Sequence, residues 1–442
     1  MKFLRRYGLL AIPLVWLGVT LAMIDPGSLE LRPDVPRGVS ALFYDPTDIG
    51  AFVLRGANHS MGRQPGRVKE PPWTEPEELA EQLDAPALPY AAEYYLEYPS
   101  PTLLLFRLGF PTRCEMPSAV ADCHHYGVAH FKPRTAAERS LWGQFHRAAI
   151  VHVALMTAAL IGLMLVLRRG YEPGQPMGPV WLAVLPACLY FSVNRFDVVP
   201  ALATALGFAC LGRDRRGLSG VLFAFAALVK LYPVLFAPII LRYLGPRLGA
   251  RWLAGFAIAC AICLGYYWAT LGWEPLIRPV QVQLARTAAN DSWTIYGRLL
   301  PEALGTPEYS KVRLGILAAL ILLLVAFRPR DLTSALRRCL IVLSAFVAMA
   351  TFWSPQWVIW FLPLVIPLAA RHRWLAWVAA ILDLANYIQF PIIYLLLWDQ
   401  IPLGPKGDLL EGLVWTHLGA WCLFAAAMAW RELRPQLPTP MV

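Results

Sequence analysis

One repeated pattern limits what this chain can fold into more than any other: an apolar run, a short connector, often arginine-rich, then another apolar run. Such runs span approximately 7–24, 146–167, 179–193, 198–211, 218–229, 232–244, 252–271, 312–327, 339–352, 357–370, 374–398 and 413–430. A helix needs roughly 20 apolar residues to cross the ~30 Å hydrocarbon core of a bilayer, and no water-soluble core calls for so many such stretches. Residue usage agrees, since 57% of the 442 residues are hydrophobic and only 15% are charged. The pattern predicts an all-α polytopic membrane protein, a bundle of about 10–12 transmembrane helices. The formal net charge of +10 does not indicate nucleic acid, because the basic residues sit in clusters at the ends of the runs.

Those clusters orient the bundle. The opening "MKFLRR" and the apolar run behind it look like a signal peptide, but "AMIDPG" offers no small-residue cleavage pattern, so residues 1–24 are expected to stay as the first span. With that start inside, the connectors assigned to the cytoplasm are "LRRG", "GRDRRG", "RYLGPRLGAR", "RPRDLTSALRR", "RHR" and the tail that opens with "RELRP", and each carries at least two basic residues. The short connectors assigned outside, "NRFD", "FWSPQW" and "WDQIPLGPKGDLLEG", carry one, none and one. This is the positive-inside bias. It predicts a multi-pass protein of the cell inner membrane, with a bundle over 146–430, a tail over 431–442 and both termini cytoplasmic. The runs at 179–193, 198–211, 218–229 and 232–244 are short for a full crossing. Backbone broken at membrane depth is tolerated only where protein buries it or it lines a cavity, so the breaks point to an internal site on the extracytoplasmic side.

Residues 25–145 form the large extracytoplasmic loop, which is expected to carry juxtamembrane helices. Thr74 and Glu77 have capping-box spacing ahead of a short helix. The run in "YPSPTLLLFRLGF" (98–110) is too short to span and fits an interfacial or re-entrant helix. Six of the eight cysteines lie in or beside apolar runs, where a thiol acts as a small hydrophobe. The other two, Cys114 and Cys123, sit in the loop and suit a short-range disulfide in an oxidising compartment. The nearby His124, His125 and His130 match no common zinc spacing, and no metal site is assigned.

Ionisable groups in a span are costly, about 2.5–3.5 kcal/mol each on insertion scales, so each is a candidate for function. Those on the predicted outer side gather in "DPTD" (45–48), "EYYLEYPSP" (93–101), "NRFD" (194–197), "KLYP" (230–233) and "NDSWTIYG" (290–297), with the polar break "SPQ" inside "FWSPQW" (352–357). Lys230 stands between two apolar half-runs, and Pro233 interrupts the helix just after it. That placement suits contact with an anion, phosphate above all, better than a lysine snorkelling to an interface. Asn194 is suited to bonding backbone, and Arg195 and Asp197 either pair with each other in a structural turn or line a cavity. The tryptophans of 352–364 suit an aromatic belt, or stacking on a sugar ring.

Four stretches together resemble the GT-C glycosyltransferases, specifically the polyprenol-phosphate-mannose-dependent mannosyltransferase family: "TDIGAFVLRGAN" after the first span, "EYPSPTLLLF", "GVLFAFAALVKLYPVLFAPIIL" (220–241) and "FWSPQWVIWFLPL" (352–364). The chain departs in having "YPSP" where relatives show Tyr-Pro-Pro, and in a long insertion over about 60–97. The resemblance implies transfer of a hexose, mannose in that family, from a polyprenyl-phosphate donor to a glycolipid or envelope-glycan acceptor, with inversion and without a cofactor, although some GT-C relatives need a divalent ion. It implies Asp48 as catalytic base with Asp45 as its neighbour, leaving Asp197, Asp291 and the acids of the insertion as alternatives. It implies Lys230, with Arg195 second, at the donor phosphate, and a substrate cavity that includes Tyr98, Asn194, Asp197, Tyr232, Asp291, Trp293, Trp353 and Gln356. A transporter or flippase of lipid or sugar shares the broken helices and the charge in a span. Against it, the sequence holds no visible internal repeat and its polar marks cluster towards one face.

Overall fold

The computed structural model describes residues 2–24, 42–43, 102, 105, 108, 136–271, 273, 276–277, 307–350, 354–397 and 403–433. Among these the chain is an all-α polytopic membrane protein. The helices are α1 (Lys2–Met23), α2 (Ala136–Arg169), α3 (Pro186–Asn194), α4 (Val198–Leu211), α5 (Arg216–Val229), α6 (Ala237–Leu271), α7 (Pro307–Ala326), α8 (Leu332–Ala348), α9 (Val358–Ala369), α10 (Trp374–Tyr387) and α11 (Leu403–Leu433). Short 3₁₀ turns at Val180–Val184, Tyr232–Phe236 and Pro355–Trp357 lead into α3, α6 and α9. Gly143–Arg169, Tyr232–Ala269, Trp374–Ile393 and Asp408–Glu432 are long and apolar enough to cross a membrane.

The predicted runs are recovered with physical refinements. The run 179–193 divides because Pro186 starts a new helix at N1. Runs 232–244 and 252–271 are two arms of α6, separated at Gly245, whose φ of 72° is left-handed and is followed by Pro246. The run 374–398 does not stay one α-helix. After Tyr387 it continues as a π-helical stretch with extended backbone at Phe390, next to Pro391, which has no N–H to donate.

Helix α9 is the centre of the bundle, buried on every side and packed against α3, α4, α8 and α10. It carries Pro363 and Pro367 in its interior. Pro367 cannot bond the carbonyl of Pro363 four residues earlier, and the Tyr171 hydroxyl donates to that carbonyl instead at 2.7 Å. Burial, with the Tyr232 phenol next in weight, pushes the Tyr171 phenol well above its ordinary range, so it stays a donor. Helices α5 and α6 approach most closely at their glycines. A Cβ at Gly220 would lie 2.0 Å from the Trp252 carbonyl, and one at Gly255 2.1 Å from the Gly217 carbonyl. Small residues that let backbones touch are how helices associate where lipid removes the hydrophobic drive.

The arginine-rich connectors share one end of the bundle, as their contacts show. Arg213 donates to the carbonyls of Gly170 and Tyr171 at the end of α2. Arg242 reaches Val325 at the end of α7, while Arg328 returns to Tyr243. Arg337 and Arg338 of α8 both bind Glu432 of α11, at 2.6 and 3.0 Å. His372 sits in the same cluster: burial first, then the nearby Arg431 and Arg337 guanidinium groups, hold it below the usual histidine range. Several of these arginines therefore satisfy the open carbonyls of helix C-termini as well as marking the polar end.

From that end α4 and α5, at 14 residues each, run about 21 Å, and α9, at 12, about 18 Å. Each stops roughly 10 Å short of a full hydrocarbon thickness, whereas α2, with 34 residues, overshoots it. The far ends of the short helices meet where Lys230, Asp197 and Trp360 contact one another.

Candidate functional site

The site starts from two helix breaks. Helix α5 ends at Val229 because Lys230 takes an extended conformation (φ −153°, ψ 129°), and Leu231-Tyr232-Pro233 then turns the chain through a 3₁₀ segment. Pro233 has no N–H for the Val229 carbonyl four residues earlier. The Thr102 hydroxyl takes that place at 2.8 Å, so this one residue of the predicted interfacial segment 98–110 sits on the break. The second break is the "NRFD" turn, where α3 ends at Asn194 and α4 begins after Asp197.

The two breaks face each other. Lys230 Nζ lies 2.8 Å from Asp197 Oδ1, and the Trp360 indole N–H donates to the same oxygen at 2.6 Å. The ammonium also stands 4.9 Å from the Phe196 ring centroid and 5.3 Å from that of Trp360, within cation–π range. Tyr232 stacks flat on Trp360, 4.4 Å apart and 8° from parallel, and Trp357 also stacks on Trp360, at 4.8 Å. The Asp197 side chain is fully buried while that of Lys230 keeps 12% exposure. The lysine side chain is therefore the more accessible member of the pair, and the carboxylate is its buried counter-charge. Asp197 Oδ2 is buried without a hydrogen-bond partner.

This geometry sorts the sequence expectations. Asp197 pairs with Lys230, which corrects the possible pairing with Arg195. Trp357 and Trp360 are buried and stacked inside the bundle, which corrects their reading as an interfacial belt. Lys230, Asp197 and Tyr232 are brought together, and Gln356 is buried in the turn that precedes Trp357 and Trp360. Asn194 is fully buried and donates both to the Tyr190 carbonyl at 3.0 Å and to the Phe43 carbonyl at 3.2 Å. Arg195 follows it as the C-cap of α3. Asp45, Asp48, Tyr98, Cys114, Cys123, Asp291, Trp293, Trp353 and the 60–97 insertion lie outside the described residues. The six cysteines of the apolar runs are free thiols.

Two residues of this region were not singled out from sequence. Trp360 supplies the second hydrogen bond to Asp197. Asp383, in the middle of α10 and 1% exposed, accepts the backbone N–H groups of Ala187 at 3.0 Å and Cys188 at 2.9 Å. Those are the donors an N-cap side chain normally satisfies. Helix α3 has Leu185 at its N-cap, which has no acceptor to offer, so the carboxylate comes from a neighbouring helix. The missing cap before Pro186 was the available signal.

A buried counter-ion beneath a partly accessible lysine side chain, backed by stacked indoles, can hold an anion. Comparison with known proteins bears on that chemistry. No curated protein matches the chain. The model of one family, described as glycosyltransferase family 87, matches residues 135–356, a stretch that starts at α2, takes in Asn194, Asp197, Tyr232 and Lys230, and ends at Gln356. That match covers half of the chain, and the protein belongs to glycosyltransferase family 87, a family of GT-C-type membrane glycosyltransferases.

Proposed function

We propose that this glycosyltransferase moves a hexose, mannose first among those to test, from a polyprenyl-phosphate donor to a glycolipid or envelope-glycan acceptor, with inversion, at the extracytoplasmic face of the inner membrane. The observation that carries this reading is the Lys230–Asp197 pair at the far end of the bundle from the arginine-rich connectors, with the lysine side chain as its more exposed member. The positive-inside bias assigns those connectors to the cytoplasm, so the pair opens on the other side.

In the reaction the acceptor oxygen attacks the anomeric carbon, and the bond from that carbon to the phosphate oxygen breaks. The electron pair leaves with the phosphate. A donor phosphodiester carries one negative charge and the released polyprenyl phosphate approaches two, so charge grows on the phosphate as the bond breaks. A fixed cation there stabilises the transition state more than the bound donor. Lys230 takes this role, held in place by Asp197 and Trp360, with Arg195 as a second cation. The buried Tyr232–Trp360–Trp357 stack holds the Trp360 indole where it bonds Asp197 and so fixes the pair from behind.

The acceptor hydroxyl loses its proton to a carboxylate, and Asp48 is the proposed base with Asp45 as its neighbour. Phe43 is bonded to Asn194, three residues before Asp197, and the five residues from Phe43 to Asp48 can span up to about 17 Å when extended. Asp48 is therefore within reach of the ammonium's surroundings. General-base catalysis is worth about 10²- to 10⁴-fold. Asp48→Asn should lower transfer by that factor in a protein that still inserts and folds, with Asp45→Asn less affected. An Asp48→Asn protein with full activity sinks the assignment of the base.

A further inference from the structure

The chain just ahead of the two acids is gripped at adjacent carbonyls by side chains from two different helices. The Tyr387 hydroxyl donates to the Leu42 carbonyl at 3.0 Å, and the Asn194 amide donates to the Phe43 carbonyl at 3.2 Å. Each donor is the last residue of its helix, α10 and α3 respectively. The same two helices are tied together lower down, where Asp383, one turn before Tyr387, caps the start of α3. Between the ties the Tyr190 ring packs edge-on against the Tyr387 ring at 6.2 Å. From the third side Trp16 of α1 packs on Phe43 at 4.5 Å.

Packing alone would let Leu42 and Phe43 slide, since apolar contact has no direction. Two hydrogen bonds to neighbouring carbonyls do not allow it, because each accepts along a defined direction and a one-residue slip would break both. We infer that Asn194 and Tyr387 are positioning residues, a two-donor clamp on Leu42 and Phe43 that fixes the point from which the chain continues to Asp45 and Asp48, with Asp383 setting the separation of the two donors.

This inference rests on the transfer reaction proposed above, in which Asp48 is the base and Lys230 holds the donor phosphate. Its signature follows from that division of labour. The clamp bears on the base and not on the phosphate, so loosening it should lower kcat and leave the donor KM alone. Misplacing a catalytic group by about 1 Å can cost on the order of 10²-fold.

The experiment compares wild type, Tyr387→Phe and the Asn194→Ala/Tyr387→Phe pair, purified in detergent, by steady-state transfer from polyprenyl-phospho-mannose and by hydrogen–deuterium exchange of the peptide covering 40–52. Tyr387→Phe removes one hydroxyl and keeps the ring, so it stays informative even where the double variant fails to fold. The expected result is a kcat lowered roughly tenfold in Tyr387→Phe with donor KM within about twofold, in line with the loss of one hydrogen bond, and a further loss of kcat in the pair. Exchange in 40–52 should rise while peptides from α2 and α4 keep their protection. Unchanged exchange, an unchanged kcat, or a donor KM that rises in step with the loss of kcat overturns the clamp. A wild-type protein that transfers nothing removes the reaction, and the exchange comparison then judges the clamp by itself.

Discussion

Replacing Lys230 is the obvious test of a phosphate site, and the structure shows why the single replacement misleads. Asp197 is fully buried, and its Oδ1 is held by the Lys230 ammonium at 2.8 Å and the Trp360 indole at 2.6 Å. Lys230→Met removes the counter-charge and strands a carboxylate in an apolar bundle. Breaking a buried pair from one side typically costs about 3–5 kcal/mol, whereas replacing both partners together is often close to neutral. The Lys230→Met protein should therefore be destabilised by roughly that amount and inactive for a structural reason alone. Adding Asp197→Asn removes the stranded charge and keeps an oxygen for the Trp360 N–H. The double variant should recover stability to within about 1 kcal/mol of wild type, and its transfer activity should stay lost because no ammonium faces the phosphate. Stability is read from denaturant or thermal unfolding in detergent, and activity from transfer of labelled sugar. A double variant that regains both stability and transfer makes Lys230 a purely structural residue. A Lys230→Met protein as stable as wild type removes the buried-charge account.

Three further outcomes follow from other parts of the molecule. Asp383→Ala leaves two backbone N–H groups at the start of α3 without an acceptor and should cost about 2–4 kcal/mol, with Asp383→Asn intermediate because it keeps one acceptor oxygen; equal unfolding midpoints for all three proteins would contradict the trans-capping role. Gly220→Ala places a methyl 2.0 Å from the Trp252 carbonyl, so α5 and α6 must separate, and a loss of about 1–3 kcal/mol is expected; an Ala variant with wild-type stability rules out the tight crossing. Non-reducing mass spectrometry of the protein from an oxidising compartment should recover a Cys114–Cys123 cross-linked peptide, and free thiols at both positions would dismiss the bridge.

Much of this fold was legible because charge and length act locally. Arginine clusters between apolar runs revealed the alternation of the chain, and their contacts across Arg213, Arg242, Arg328 and Glu432 now place several of those connectors at one end. Lys230 was legible because an ammonium inside an apolar run is expensive and Pro233 follows it. Its partner was not, because the choice between Arg195 and Lys230 for Asp197 depends on how α4, α5 and α9 pack, 33 residues apart in the chain for the pair itself. Trp360 was read as part of a belt because tryptophan at a run's edge usually is one; here the short helix α9 carries it inward. Asp383 was passed over although the same cost argument applies to it, and its reason for being there lies in an uncapped helix start nearly 200 residues earlier.

In the proposed reaction the sugar arrives on a lipid phosphate. Wild-type protein in proteoliposomes, given polyprenyl-phospho-[¹⁴C]mannose or a nucleotide-linked [¹⁴C]mannose alongside membrane acceptor lipids, tests it most directly. Label should pass to lipid acceptor from the polyprenyl-phosphate donor alone. Transfer from the nucleotide sugar, or no transfer from the lipid donor by a folded, inserted protein, would contradict it.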